Sequence, residues 1–194
     1  MENPASYIPN FVSRPDEAFA MLWNELDWIQ HADAPRREYW SNDFDSPYTY
    51  GRGAGIRTYA AQPFHPLVRI IRELLDAKTD VYYEACFLNG YGTKRDWLGW
   101  HEDDDKSIDH SKPIAVISLY EEGAKPRSIQ YRERNGLTDD GKPAFKPLVD
   151  QPLENGSLFI MGAGMQDTHQ HRIPKASFEA QPRISLTFRS LIKN

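Results

Sequence analysis

The chain is 194 residues long, 40% hydrophobic and 26% charged, with a formal net charge of −5. That length fits one domain, residues 1–194, with its own core; no apolar run is long enough to span a bilayer, and a single cysteine, Cys86, excludes an internal disulfide. The acidic balance argues against a broad phosphate-neutralising surface, although basic residues gather at Arg36-Arg37, Arg52 to Arg57, Lys94-Arg95 and Lys125 to Arg134.

The start, Met1-Glu2-Asn3-Pro4, has neither a basic leader nor an apolar signal core, so a cytoplasmic location without membrane contact is expected. Ser13-Arg14-Pro15-Asp16-Glu17 reads as a helix start, with a hydroxyl cap, an early proline and acids in the first turn. Phe19, Leu22, Trp23, Leu26 and Ile29 then recur at helical spacing. A second helix follows Pro63-Phe64-His65-Pro66, with Leu67, Ile70, Ile71, Leu74 and Leu75 on one stripe. Both helices are expected to brace the same sheet.

Between them, residues 31–59 carry little apolar periodicity but many aromatics and arginines, among them Arg36, Tyr39, Trp40, Tyr48, Tyr50 and Tyr59. That composition predicts loops or a hairpin outside the core. From Asp80 onward the pattern is mostly of strands: Val81 to Leu88 (with Cys86 as a buried, reduced thiol), Ile114 to Leu119, Ser128 to Tyr131, Gly156 to Met161 and Arg183 to Ile192. Turn residues from Arg132 to Pro152 predict a long loop. The fold class is mainly β with flanking helices (α+β): a jelly roll of seven or eight strands with two N-terminal helices packed outside it.

The sharpest chemical signal is Gly99-Trp100-His101-Glu102-Asp103. In an extended chain, His101 and Asp103 leave the same face and can meet one ion. Two histidines and one carboxylate suit non-haem Fe(II) with open positions, and His169 and His171, which share a face, are both candidates for the third ligand. Arg183-Ile184-Ser185-Leu186-Thr187-Phe188-Arg189 alternates without a break, so both arginines fall on its polar face. Their Cα atoms are on the order of 20 Å apart, a span that two inward guanidiniums could close onto a small dicarboxylate. Taken singly, a solvated His-x-Asp loop and an edge strand with water-facing arginines explain these segments as well.

Taken together, His101-x-Asp103, His171, Arg183 and Arg189 resemble the AlkB family of Fe(II)- and 2-oxoglutarate-dependent dioxygenases. The resemblance extends to Asn89-Gly90-Tyr91 and to Leu153-Glu154-Asn155-Gly156-Ser157-Leu158, and covers most of the chain. It implies a double-stranded β-helix core. It favours His171 over His169, because twelve residues separate His171 from Arg183 and Ile173-Pro174 follows it. It also implies that His101, Asp103 and His171 hold the iron and that 2-oxoglutarate and O2 take the remaining positions. Asn89 and Tyr91 would donate to the cosubstrate, Arg183 would grip its far carboxylate and Arg189 would lie near the metal-bound end. Residues 31–59 would form a nucleotide-recognition lid with Trp40, Tyr48 and Tyr50, and Asp105 would sit near an unstacked base. His31, His65 and His110 are expected at the surface. One departure is Ser185, where the family usually has Asn; a hydroxyl makes fewer hydrogen bonds than an amide.

The resemblance implies oxidative dealkylation of N-alkylated bases in DNA or RNA, releasing formaldehyde, succinate and CO2, by a protein expected to be a monomer. The acidic composition keeps a second expectation open, the same chemistry on a protein side chain or a small metabolite. A binding module without turnover is a third, and the intact ligand set argues against it.

Overall fold

The structure is a computed structural model and describes residues 4–32, 34–51, 55–103 and 106–192. Its main body is two antiparallel sheets. In chain order the elements are β1 (Ala5–Ile8), α1 (Pro15–Glu25), β2 (Arg37–Asn42), β3 (Tyr48–Tyr50), β4 (Arg57–Tyr59), α2 (Pro66–Thr79), β5 (Ala85–Tyr91), β6 (Leu98–His101) and β7 (Ile114–Tyr120). Then come β8 (Arg127–Leu137), β9 (Pro143–Phe145), β10 (Val149–Leu153), β11 (Ser157–Met161), the single turn α3 (Met165–Thr168), β12 (His169–Ile173) and β13 (Arg183–Arg189). The larger sheet runs β1-β11-β7-β13-β5-β2 and the smaller β10-β8-β12-β6, with β9 beside β8.

Alternation sorts the side chains of the larger sheet between two environments. On β13, Ile184, Leu186 and Phe188 face outward and join Leu88, Ile117 and Leu158 in a core closed by Phe19 and Leu22 of α1 and Ile71 and Leu75 of α2. The opposite face meets the smaller sheet, where Val116 and Phe159 pack with Ile129, Tyr131 and Ile173. Every residue of β13 is therefore buried, including Arg183 and Arg189. Its polar face looks into the space between the sheets and away from bulk water.

Several expectations change on contact with the structure. The α1 cap is Arg14, in a left-handed conformation and without a side-chain cap bond, so the Ser13 hydroxyl is not used; the helix ends before Ile29. On α2, Val68, Ile71 and Leu75 are the buried stripe, while Ile70 and Leu74 face solvent. Part of 31–59 is core: β2 is a strand of the larger sheet, paired with β5 from Arg37↔Gly90 to Asn42↔Ala85. Its burial follows from two-sided packing, Tyr39 toward the helices and Trp40 into a cluster with Tyr59 and Phe87. The hairpin of β3 and β4 is separate from both large sheets. The long loop expected over Arg132 to Pro152 is mostly strand, because β8 continues to Leu137 and returns through β9 and β10. Short-range turn signals there mark hairpin turns.

Candidate active site

Strands β6 and β12 are neighbours in register, with His101 opposite His171. That pairing brings residues seventy positions apart in sequence side by side, and the two imidazole centroids lie 4.1 Å apart. Asp103 lies two residues past the end of β6. Ligand atoms of His101, Asp103 and His171 all lie within 4.8 Å of one another, and His101 Nε2 is 3.7 Å from Asp103 Oδ1. His101 Nδ1 sits 2.8 Å from the Gly99 carbonyl oxygen, which leaves Nε2 turned to the cluster.

His169 faces inward too but elsewhere. Its Nδ1 bonds the Thr168 hydroxyl at 2.8 Å and its ring tilts against Tyr131.

Electrostatics keep the three groups in ligand-ready forms. Burial, with His101 beside it, pulls the His171 pKa down to about 3, and burial also lowers that of His101. Both imidazoles are neutral at pH 7. Burial pushes the Asp103 carboxyl up, but the Arg189 guanidinium together with His171 and His101 outweighs it and leaves the pKa at about 2. Arg189 donates to Asp103 Oδ2 through Nε at 3.1 Å and Nη2 at 2.9 Å. The backbone of Asp103 is tethered as well: its N–H donates to Gln166 Oε1 at 2.9 Å, and its carbonyl oxygen is 2.9 Å from His110 Nε2. His110 Nδ1 is in turn 2.7 Å from Asp167. His110 is thus a partly exposed residue that also brackets the Asp103 loop.

Beside the cluster lies a cavity of about 540 Å³, bordered by His101, Asp103, Arg189, Asn89, Tyr48 and Tyr50 among others. Arg183 does not border it. That side chain is 1% exposed, donates Nε to Ser118 Oγ at 2.7 Å, and has no hydrogen-bond partner for Nη1 or Nη2. Burial lowers its pKa to about 10. Its guanidinium lies 5.4 Å from the Tyr91 ring centroid, and that of Arg127, another buried arginine with unpaired Nε and Nη1, lies 4.9 Å from the same ring. Arg189 Nη1 is also unpaired. Buried guanidinium N–H groups without acceptors are costly unless an anion meets them.

The aromatic residues expected in the lid divide. Tyr48 and Tyr50 border the cavity. Trp40 does not: it is 2% exposed, donates Nε1 to the Ser46 carbonyl at 2.8 Å, and stacks under Tyr48 at 4.8 Å. It supports the wall from behind, because β2 turns it into the core. Asp105 lies outside the described residues.

Sequence reasoning missed Arg36 and Glu38. Glu38 is fully buried and ion-paired to Arg36 at 2.6 Å, and it also accepts from the hydroxyls of Tyr50 and Tyr59. Arg36 donates Nε to Asn89 Oδ1 at 2.7 Å. What Asn89 retains for a ligand is its NH2. An oppositely charged pair two residues apart, Arg36 just before β2 and Glu38 within it, was the available signal, and a predicted loop hid it.

Two imidazoles and a carboxylate are the donor set that suits iron(II) with open positions, and the unpaired guanidinium groups fit a dianionic cosubstrate. Residues 5–189 match the 2OG-Fe(II) oxygenase superfamily, and the chain belongs to it. Its relatives are AlkB-family dioxygenases. Over 193 residues it is 30% identical to alpha-ketoglutarate-dependent dioxygenase alkB homolog 3 of Bos taurus and 28% identical to that of Homo sapiens. Each alignment covers 94% of this chain and 64% of the relative. DNA oxidative demethylase ALKBH2 of Homo sapiens is 26% identical over 189 residues, covering 91% of this chain and 69% of that protein. The chain spans just under two thirds of the length of the alkB homolog 3 proteins.

Proposed function

We propose that this chain is an Fe(II)- and 2-oxoglutarate-dependent dioxygenase that removes N-alkyl groups from nucleic-acid bases. The two facing sheets would form a double-stranded β-helix with α1 and α2 packed outside it. The observation that carries the reading is the convergence of His101, Asp103 and His171 within 4.8 Å beside a cavity walled by tyrosines. The homologue named a DNA oxidative demethylase supports nucleic acid as the substrate class.

His101, Asp103 and His171 would hold iron on three neighbouring positions. Iron(II) with 2-oxoglutarate supplies the oxidation of a C–H bond by O2, one oxygen atom going to succinate as CO2 leaves and the other to the substrate carbon. If that carbon is an N-methyl group, the N–C bond breaks, formaldehyde leaves and the nitrogen regains a proton.

Each side chain has a task. Arg189 keeps Asp103 ionised and turned to the cluster. The unpaired Nη1 and Nη2 amino groups of Arg183, buried behind the cavity lining beside Tyr91, would meet a far carboxylate that reaches past that lining. The NH2 of Asn89, which lines the cavity with His101 and Asp103, would offer a further donor. Tyr48, Tyr50 and Phe87 give the cavity flat apolar faces on which an unstacked base can rest. Excluding water from this space strengthens each polar contact.

The test is to supply purified protein with Fe(II), 2-oxoglutarate and N-methylated oligonucleotides and to follow formaldehyde and repaired base by mass spectrometry. His101→Ala should abolish both products. Succinate formed without base repair would point to a protein or metabolite substrate. Full activity in His101→Ala would reject the metal assignment.

A further inference from the structure

On β6 and β12 the histidines point between the sheets, so alternation turns Trp100, Gln170 and Arg172 to the outer face of the smaller sheet. On β8 the inward residues are Arg127, Ile129 and Tyr131, and Gln130 and Arg132 share that outer face. The register sets Gln170 opposite Arg132 and Arg172 opposite Gln130. The Arg132 guanidinium lies between two rings, 3.6 Å from the centroid of Phe145 and 4.1 Å from that of Trp100. Arg172 is 4.5 Å from the same indole.

The acceptors of these two arginines are neutral. Arg132 donates Nε and Nη2 to Gln170 Oε1 at 3.2 and 2.7 Å, and Arg172 donates Nε to Gln130 Oε1 at 2.8 Å. Neither has a carboxylate at ion-pair distance among the described residues. Neighbouring cations are compensated: Arg134 pairs with Glu102 and Lys146 with Glu133 at 2.7 Å. The acid whose field reaches Arg132 is Glu102, itself paired with Arg134, and Asp150 is joined to Arg172 only through Gln130. A protein of net charge −5 thus keeps two like charges side by side on one ring, and Trp100 and Gln170 also border the cavity.

We infer that Arg132, Arg172 and Trp100 form a docking site for a backbone phosphodiester of the nucleic-acid strand whose base enters the cavity. Stacked guanidiniums present planar donor forks that match phosphate oxygens, and stacking fixes them before the strand arrives. This site rests on the reading of nucleic acid as substrate. It names where the strand's charge is met.

The experiment measures fluorescence anisotropy of a labelled, unmodified single-stranded oligonucleotide across a salt series. The proteins are wild type, the double variant Arg132→Gln/Arg172→Gln and the double variant Arg132→Lys/Arg172→Lys. The Gln variant should lose affinity by about tenfold at low salt, and its log K against log[salt] slope should be shallower by about 0.7 for one lost phosphate contact. The Lys variant should keep the wild-type slope, because charge sets it. A purely structural role would move the melting temperature and leave the slope alone. Where the double Gln variant does not fold, Arg172→Gln alone, with its looser ring contact, is read for the same shallowing. An unchanged slope in a folded variant, with wild-type binding intact, overturns this site alone. No oligonucleotide binding by wild type at any salt overturns the substrate reading and this site with it.

Discussion

Arg183 offers the clearest test of how the protein prepares for its cosubstrate. Burial lowers its pKa well below the ordinary guanidinium value, to about 10, and at about 1.4 kcal/mol per unit the charge costs roughly 3 kcal/mol when no anion is present. Replacing it in Arg183→Met removes that cost and leaves Ser118 Oγ without its donor, a loss of about 1 kcal/mol. The net expectation is a gain of about 2 kcal/mol, or a melting temperature higher by about 4–8 °C for a chain of this size. The assay is thermal unfolding of metal-loaded protein, followed by circular dichroism with and without 2-oxoglutarate. Wild type should rise with ligand, by about 2.7 kcal/mol at a hundredfold excess over Kd. The variant should start higher and not respond. A variant that melts below wild type and still gains the full ligand increment would refute both the unpaired charge and its role.

His169→Ala should retain one equivalent of iron by metal analysis while His171→Ala loses it, since only the latter side chain meets His101 and Asp103; the opposite pattern reverses the assignment. In metal-free protein, His171 stays neutral down to about pH 3 whereas an unfolded histidine takes up a proton below about 6.5. The unfolded state therefore binds more protons in that window, and stability should fall by about 2 kcal/mol between pH 6.5 and 5. The Asp103 carboxylate, with a pKa of about 2, adds a loss of the same sign below its ordinary value. Denaturant titrations of chelator-treated protein at several pH values check this, and a flat profile would count against buried neutral imidazoles. Tyr50→Ala should weaken oligonucleotide binding in an anisotropy titration, because the ring borders the cavity; unchanged affinity would reduce Tyr50 to packing. Cys86 is buried, and burial raises its thiol pKa, so it should resist thiol reagents until the protein is denatured.

How far the sequence could be read depended on the range of the forces involved. The unbroken alternation of Arg183 to Arg189 announces a strand, but it cannot say whether the polar face meets water or a second sheet. Burial of both arginines depends on the smaller sheet lying across that face. The turn residues from Asn135 to Pro147 were legible, yet they mark turns within a hairpin, because β8 and β10 find each other from Val149↔Tyr131 to Leu153↔Arg127. In 31–59 the aromatics suggested a lid. Two-sided packing made Tyr39 and Trp40 core residues and left Tyr48 and Tyr50 at the cavity. Gln166 carries no local signature, since it acts on Asp103 far along the chain.

By itself, the order of residues determined the kinds of groups the protein can use: two imidazoles, one carboxylate, and two arginines on one strand face, at spacings that resemble the AlkB family. Only the tertiary structure decided where His169 goes instead, that Arg189 is tied to Asp103 while Arg183 keeps unpaired donors, and that Trp100 carries two cations without a carboxylate at ion-pair distance on its outer side. The physical reason is that side-chain direction follows from local backbone period, whereas the dielectric around a charge and the partner it finds depend on segments brought together only by folding.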